Sequence, residues 1–346
     1  MKKQKLIIAS SALCLLTVLF LFGETFVSGV RTGLSYCSGI IIPSLFPFMV
    51  ASSLAAFGEI PAFIRNILEK PMKKIFSLPP DAITVVFLSA LGGYPVGAKT
   101  AASMLSAGKL TRTQAKKLIL FCVNSGAGFA VNAVGNAMLG SREAGRIIFT
   151  SGIAASLLVA FIASFIPCEN KELLTITSRD IPFSKAVVES VVSSSSGLLS
   201  VCGFVCLFSG ISEIILSLNV NETLKTAAVC FFEVTSGCSF AANRLSLPLL
   251  CAVISFGGLC IHLQIFSICS NFSPNLKHFY FFRILHSAFS AIICKILLHF
   301  FPIADEVFLT FSENAAPWSF SAPSAISLLF LSALLILDLD TEKKIC

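Results

Sequence analysis

The stretch Ile83-Thr84-Val85-Val86-Phe87-Leu88-Ser89-Ala90-Leu91-Gly92-Gly93-Tyr94-Pro95-Val96-Gly97-Ala98-Lys99-Thr100 decides how the chain is read. An apolar arm runs to Leu91, Gly92 to Gly97 interrupt it, and a small-residue arm continues from Ala98 to Ala107. Each arm holds about ten residues, or ~15 Å of helix, half of a ~30 Å hydrocarbon core. Broken backbone at that depth strands polar groups that cost several kcal/mol each in lipid, so it survives only inside protein or beside water. The segment 81–107 is therefore expected to enter and leave on one side, as a re-entrant hairpin with a buried tip. A weaker version occupies 223–244: Leu224 to Phe232, then Glu233-Val234-Thr235-Ser236-Gly237, then a short arm to Asn243.

Outward from these two segments the chain is dominated by long apolar runs at 6–23, 34–57, 117–139, 147–166, 190–218, 246–270, 279–301 and 323–337. Most approach the ~20 residues needed to span a bilayer. The composition agrees: 55% of residues are hydrophobic and 12% charged, against about 25% charged in soluble domains. The expected class is an all-α polytopic membrane protein with about eight transmembrane helices and two re-entrant hairpins in an inverted repeat. Met1-Lys2-Lys3-Gln4-Lys5 followed by the first apolar run resembles a signal peptide, but no Ala-x-Ala pattern follows Gly23, so it reads as a retained span.

The net charge of +7 is read as cationic loops facing the cytoplasm, with no nucleic-acid partner. With a cytoplasmic N-terminus and both hairpins returning to their own side, only Arg31, Arg142, Arg146, Lys225 and Arg244 among the loop cations fall outside. Lys2, Lys3, Lys5, Arg65, Lys70, Lys73, Lys74, Lys109, Arg112, Lys116, Lys117 and the remaining loop cations fall inside. If both hairpins crossed instead, the two sides would be far closer to balance, so the positive-inside rule favours hairpins.

The division that follows is an N-terminal helix at 1–30, a first repeat at 31–168 and a cytoplasmic linker at 169–186. A second repeat occupies 187–301, and an outer loop, last span and tail fill 302–346. A small-residue helix precedes each hairpin. A glycine-marked helix follows each: Asn124-Ser125-Gly126 in one unit, Phe256-Gly257-Gly258 in the other. Three crossings separate the starts of the two units, which inverts the second. Inverted repeats with interrupted segments at matching positions are the sequence pointer to a transporter site near the bilayer midplane.

The residues at those interruptions are the candidate contacts. Gly92 to Thr100 imitates a phosphate-binding loop, yet Ala98 separates Gly97 from Lys99 where an unbroken Gly-Lys-Ser/Thr is required, and a nucleotide site is rejected. As a hairpin tip, Gly93 and Gly97 allow tight backbone, Pro95 suits the first turn of the second arm, and that arm's N-terminus suits an anion. Lys99 lies one turn in. Its insertion costs roughly 2.5–3.5 kcal/mol unless it is paired or wet, so it either contacts an anionic solute or pairs with Glu233. Glu233, Thr235, Ser236 and Gly237 form the opposite tip, Glu233 either meeting solute or a proton or capping its helix. Asn124 and Ser125 are cavity candidates, whereas Asn132 and Asn136 suit helix–helix bonding. Gly258, His262 and Gln264 complete the set, with helix adhesion the competing use of the last two.

The 13 cysteines contain no Cys-x-x-Cys pair and sit mostly in apolar runs, which reads as small apolar filler. No metal cluster, cofactor motif or catalytic triad is present in the pattern, so no enzyme is expected. The expected partners are the lipid bilayer and a small anionic solute. The residues leave the oligomeric state open, a homo-oligomer included.

At Gly93-Tyr94-Pro95-Val96-Gly97-Ala98-Lys99, Asn124-Ser125-Gly126, Glu233-x-Thr235-x-Gly237 and Gly257-Gly258 with Gln264, the chain resembles the sporulation integral membrane protein YlbJ family, whose members carry a nucleoside-recognition gate domain. The resemblance covers roughly residues 30–300 and is more distantly similar to concentrative nucleoside transporters. It implies a transport fold with paired hairpins, residence in the bacterial cell membrane, and the outer forespore membrane during sporulation. It also implies dipicolinate as the solute. The competing implications are a nucleoside-type carrier and a scaffold or sensor that transports nothing. The pattern departs at Gly92 and Val123, where Ser and a second Asn are expected.

Overall fold

The computed structural model describes residues 2–58, 62–167 and 182–303, and these are helical nearly throughout. The expected span at 323–337, the acidic loop before it, the tail and most of the linker lie outside the described residues. Five described helices are long and apolar enough to cross a membrane: Gly23–Phe57, Arg142–Ser164, Phe183–Ser217, Leu247–Ile268 and Leu276–Phe300. The chain is a helical membrane protein. Of the eight expected spans, the first lies in helix α1 (Lys2–Leu21).

The frame is built on two helices of equal length, 35 residues each. The first comprises α2 (Gly23–Tyr36), a widened turn at Cys37–Ile41, and α3 (Ile42–Phe57). Pro43 and Pro47 remove ladder donors just beyond that turn, and Ile42 N–H reaches back to Cys37 O, which relieves the register. The second is α9 (Phe183–Ser217). They run antiparallel in close contact: a Cβ on Gly29 would stand 2.5 Å from Ser209 O, and one on Gly33 3.0 Å from Cys206 Cα. Further along, Cys37 lies against Cys202, and Ser53 Oγ and Ser194 Oγ are 3.3 Å apart. In lipid, apolar area gives helices no reason to associate, so small residues that admit close backbone approach carry this interface.

After α4 (Ala62–Pro71), the first hairpin consists of α5 (Ile83–Gly92) and α6 (Tyr94–Ser106), broken at Gly93 with φ +96°. The second consists of α10 (Glu222–Phe232) and α11 (Val234–Ala241), broken at Glu233. In each, a glycine four residues past the break lets the arms touch. A Cβ on Gly97 would meet Ser89 Cβ at 2.6 Å, and one on Gly237 would meet Cys230 Cα at 2.7 Å.

The segments following the hairpins differ from expectation. Residues 117–139 do not form one helix: α7 (Arg112–Ile119) ends, 122–126 run without helical structure, and a wide helix occupies Gly128–Met138. The run 246–270 divides at Gly257 and Gly258, both at positive φ, into α12 (Leu247–Phe256) and α13 (Gly258–Ile268). Hydropathy cannot register such breaks because the residues that cause them are small and nearly neutral. Two straight helices, α8 (Arg142–Ser164) and α14 (Leu276–Phe300), pack together behind the breaks.

Polar anchors mark two opposite faces. On the face where hairpin 1 begins, Arg65 pairs with Asp81 at 2.9 Å, Lys109 bonds Gly58 O, and Lys117 donates to Ser164 O and Ile166 O at the end of α8. At the base of hairpin 2, Glu222 pairs with Lys225 at 3.1 Å and lies 3.8 Å from Arg244.

Candidate functional site

Breaking two helices in the interior frees carbonyls, and the fold supplies a side chain for each of the critical ones. In the second break Ile254, Ser255 and Phe256 would normally accept from the next turn. Instead Tyr94 Oη donates to Ile254 O at 2.5 Å, Arg283 to Ser255 O at 2.7 Å, and His262 Nε2 to Phe256 O at 2.9 Å. In the first break, Ser156 Oγ donates to Phe121 O at 2.7 Å and Arg283 donates to Val123 O. Unpaired groups of this kind would each cost about 1–3 kcal/mol or more. Arg283 is 0% exposed and its forked guanidinium ties both breaks together, with a third bond to His286 Nδ1. Because Nδ1 accepts, Nε2 carries the proton and donates to Gly152 O at 2.9 Å.

Between the hairpin tips lies a narrow cavity of about 50 Å³. Gly93, Tyr94 and Pro95 line it from hairpin 1, Glu233 and Thr235 from hairpin 2, and Gln264 from α13, with Gly126, Ser44 and Phe129 beside them. The approach is at backbone distance, since a Cβ on Gly126 would stand 2.8 Å from Gly93 N and 2.9 Å from Leu91 O. Gly258 plays the same part opposite, with the carbonyls of Phe231, Cys230 and Phe232 at 3.2, 3.4 and 3.5 Å from its would-be Cβ. Gln264 is 2% exposed and its Oε1 has no partner, while Nε2 rests on Cys260 Sγ. A buried amide oxygen without a partner among the described residues, on a side chain that lines the cavity, can accept from a donor brought there.

The remaining expected residues divide. Gly97 and Gly237 pack hairpin arms. Asn124 is buried and donates to Ser89 Oγ at 3.4 Å, leaving Oδ1 unpartnered. Ser125 is buried toward Gly152 of α8. Neither Asn124 nor Ser125 lines the cavity. His262 is held edge-on by Phe256, Phe279 and Tyr280, so its work is to support the break. Ser236 faces α9, 3.4 Å from Ser209 Oγ.

The expected pairing of Lys99 with Glu233 does not occur among the described residues. Lys99 Nζ donates to Ser193 Oγ at 2.8 Å and Ser193 O at 3.0 Å. Glu233 turns back on its own helix and accepts from Thr235 N at 2.9 Å and Ser236 N at 2.5 Å. The carboxylate thereby occupies the anion site that α11 would otherwise present. At α6, Pro95 brings no N–H, and the Val96 and Gly97 N–H groups return to Gly93 O, so this helix start offers its dipole and the Tyr94 N–H. Arg283 was missed in the sequence because it sits in an otherwise apolar run. An arginine inside a span is nevertheless itself a signal.

Against this geometry one curated protein compares over most of its length. The sporulation integral membrane protein YlbJ of Bacillus subtilis (strain 168) is 25% identical over 341 residues, covering 86% of this chain and 83% of that protein. The chain is a relative of YlbJ. The shared length takes in both hairpins and both broken helices, and with the five apolar helices it makes this a multi-pass membrane protein. No protein-family model matches the chain, and no solved structure is detectably similar to it.

Proposed function

We propose that the chain is a secondary carrier for a small anionic solute, with dipicolinate at the outer forespore membrane as the specific assignment. The observation that carries the carrier reading is the single cavity shared by Gly93–Pro95 and Glu233–Thr235. Antiparallel frame helices of equal length, hairpins broken and glycine-packed at matching positions, and glycine breaks abutting each tip support an inverted repeat. The two hairpins then enter from opposite faces, the first from the cytoplasm, and the N-terminus is cytoplasmic. The link to spore formation and the solute rests on the relationship to YlbJ and the family resemblance, not on the cavity.

Charge sets the expected mechanism. A dianion suits the α6 N-terminus, the Tyr94 N–H and Thr235, and meets like charge at Glu233. Purified protein in liposomes should take up labelled dipicolinate above phosphate and nucleosides. Glu233→Gln, which removes that like charge, should raise the uptake of dipicolinate. Equal background leak for all three solutes would leave a non-transporting scaffold or sensor as the reading, and preference for nucleosides would reassign the solute.

A further inference from the structure

Hairpin 2, α2 and α9 enclose a second cavity, larger than the first at about 290 Å³. Thr32 and Tyr36, Ser209 and Ser212, and Ser236 and Ser239 line it in pairs from the three elements. Ser212 is 1% exposed and its hydroxyl has no partner. One charge of each sign, Glu213 and Arg244, also faces the space, so it has no net bias. At its inner end Ser236 lies one residue from Thr235, which lines the central cavity. Hydroxyls donate and accept alike, so such a wall passes hydrated polar solutes of either charge.

The matching position on the other hairpin is built differently. Lys99 follows the Gly93 break by the same interval as Ser239 follows Glu233. Its side chain reaches α9 and bonds Ser193, and on the same stretch of α9 Ser190 and Ser194 are fully buried, Ser190 Oγ without a partner among the described residues. We infer that the hydroxyl-lined cavity is the solute's entrance at the hairpin 2 face, and that Lys99 is the latch closing the corresponding passage beside hairpin 1. This rests on the carrier reading for its purpose, but not for its geometry. Neutral acceptors suit a latch: the ammonium exchanges a hydroxyl and a carbonyl for water on opening, whereas a buried carboxylate partner would be costly to leave.

The test exchanges the two side chains and reads access, not flux. Single cysteines replace Ser212 or Ser190 in protein held in sealed liposomes, and a membrane-impermeant maleimide is followed by site-resolved mass spectrometry. Ser212 lines the cavity and Ser190 does not, and thiol modification follows access, so Cys at 212 should react about tenfold faster than Cys at 190. Ser239→Lys should slow the reaction at 212 by about tenfold, and Lys99→Ser should speed that at 190 by about as much. Protection at 212 from both faces, or indifference of 212 to Ser239→Lys, overturns the entrance. Continued protection of 190 in Lys99→Ser overturns the latch. If Lys99→Ser does not insert, Lys99→Met replaces it, losing the ammonium while keeping most of the stem, with the same acceleration expected and the same protection overturning the latch. The expected labelling without any solute flux leaves this inference standing and removes the carrier reading.

Discussion

The two hairpins share a backbone and differ in chemistry. Each has two short arms, a break at the tip and a glycine four residues on that seats one arm against the other. Hairpin 1 carries no acid at its tip and holds a lysine against the opposite frame helix. Hairpin 2 closes its own helix start with Glu233 and carries serines where they face an open cavity. The difference teaches that two hairpins can share their steric requirements while their polar residues make the two sides unequal. On the carrier reading proposed above, such inequality lets the protein open to one face at a time.

The comparison breaks most severely at the packing glycines. A Cβ on Gly97 would lie 2.1 Å from Cys122 O, and one on Gly237 2.7 Å from Cys230 Cα, whereas nothing lies within 4 Å of Gly203. Backbone cannot yield as a side chain can, and overpacking costs about 1–3 kcal/mol or more. Gly97→Ala should therefore remove most monodisperse protein in detergent gel filtration, Gly237→Ala a large part and Gly203→Ala almost none. Equal yields would show that the arms are not seated as described.

An effect of comparable size is expected at the residue that serves both breaks. Arg283→Met leaves Val123 O and Ser255 O without donors, at about 1–3 kcal/mol each, and should lower the thermal transition accordingly. Arg283→Lys keeps the charge but not the fork and should recover only part. Full recovery by Lys would mean that charge, not the paired carbonyls, is what Arg283 supplies. The smallest change, Tyr94→Phe, removes one hydroxyl from Ile254 O and should cost about 0.5–1.5 kcal/mol in the same assay. A loss as large as that of Arg283→Met would show that tip 1 bears more of the second break than a single bond.

Much of the frame was legible in residue order. The interruptions at 92–97 and 233–237 announced where two pairs of short helices meet, because a chain in lipid cannot be interrupted without consequence. The tips as cavity lining, through Gly93, Tyr94, Pro95, Glu233, Thr235 and Gln264, followed from the same punctuation. Other features were not legible. The interruption after α7 is made by small residues whose hydropathy matches a span. Its donors, Ser156 and Arg283, come from helices far along the chain. Lys99 and Glu233 invited pairing as opposite charges at two tips, yet Lys99 bonds Ser193 on α9, which sequence spacing cannot bring beside it, and Glu233 takes the alternative of capping its own helix.

By itself the sequence determined what lipid enforces locally: which runs can be helices, and where glycine and proline interrupt them. Only the tertiary structure decided which groups answer one another across the breaks, since the bonds from Tyr94 to Ile254 and from Arg283 to Val123 join residues 160 positions apart. It also decided which seam stands open and which is held shut, because an opening depends on the side chains of three helices at once.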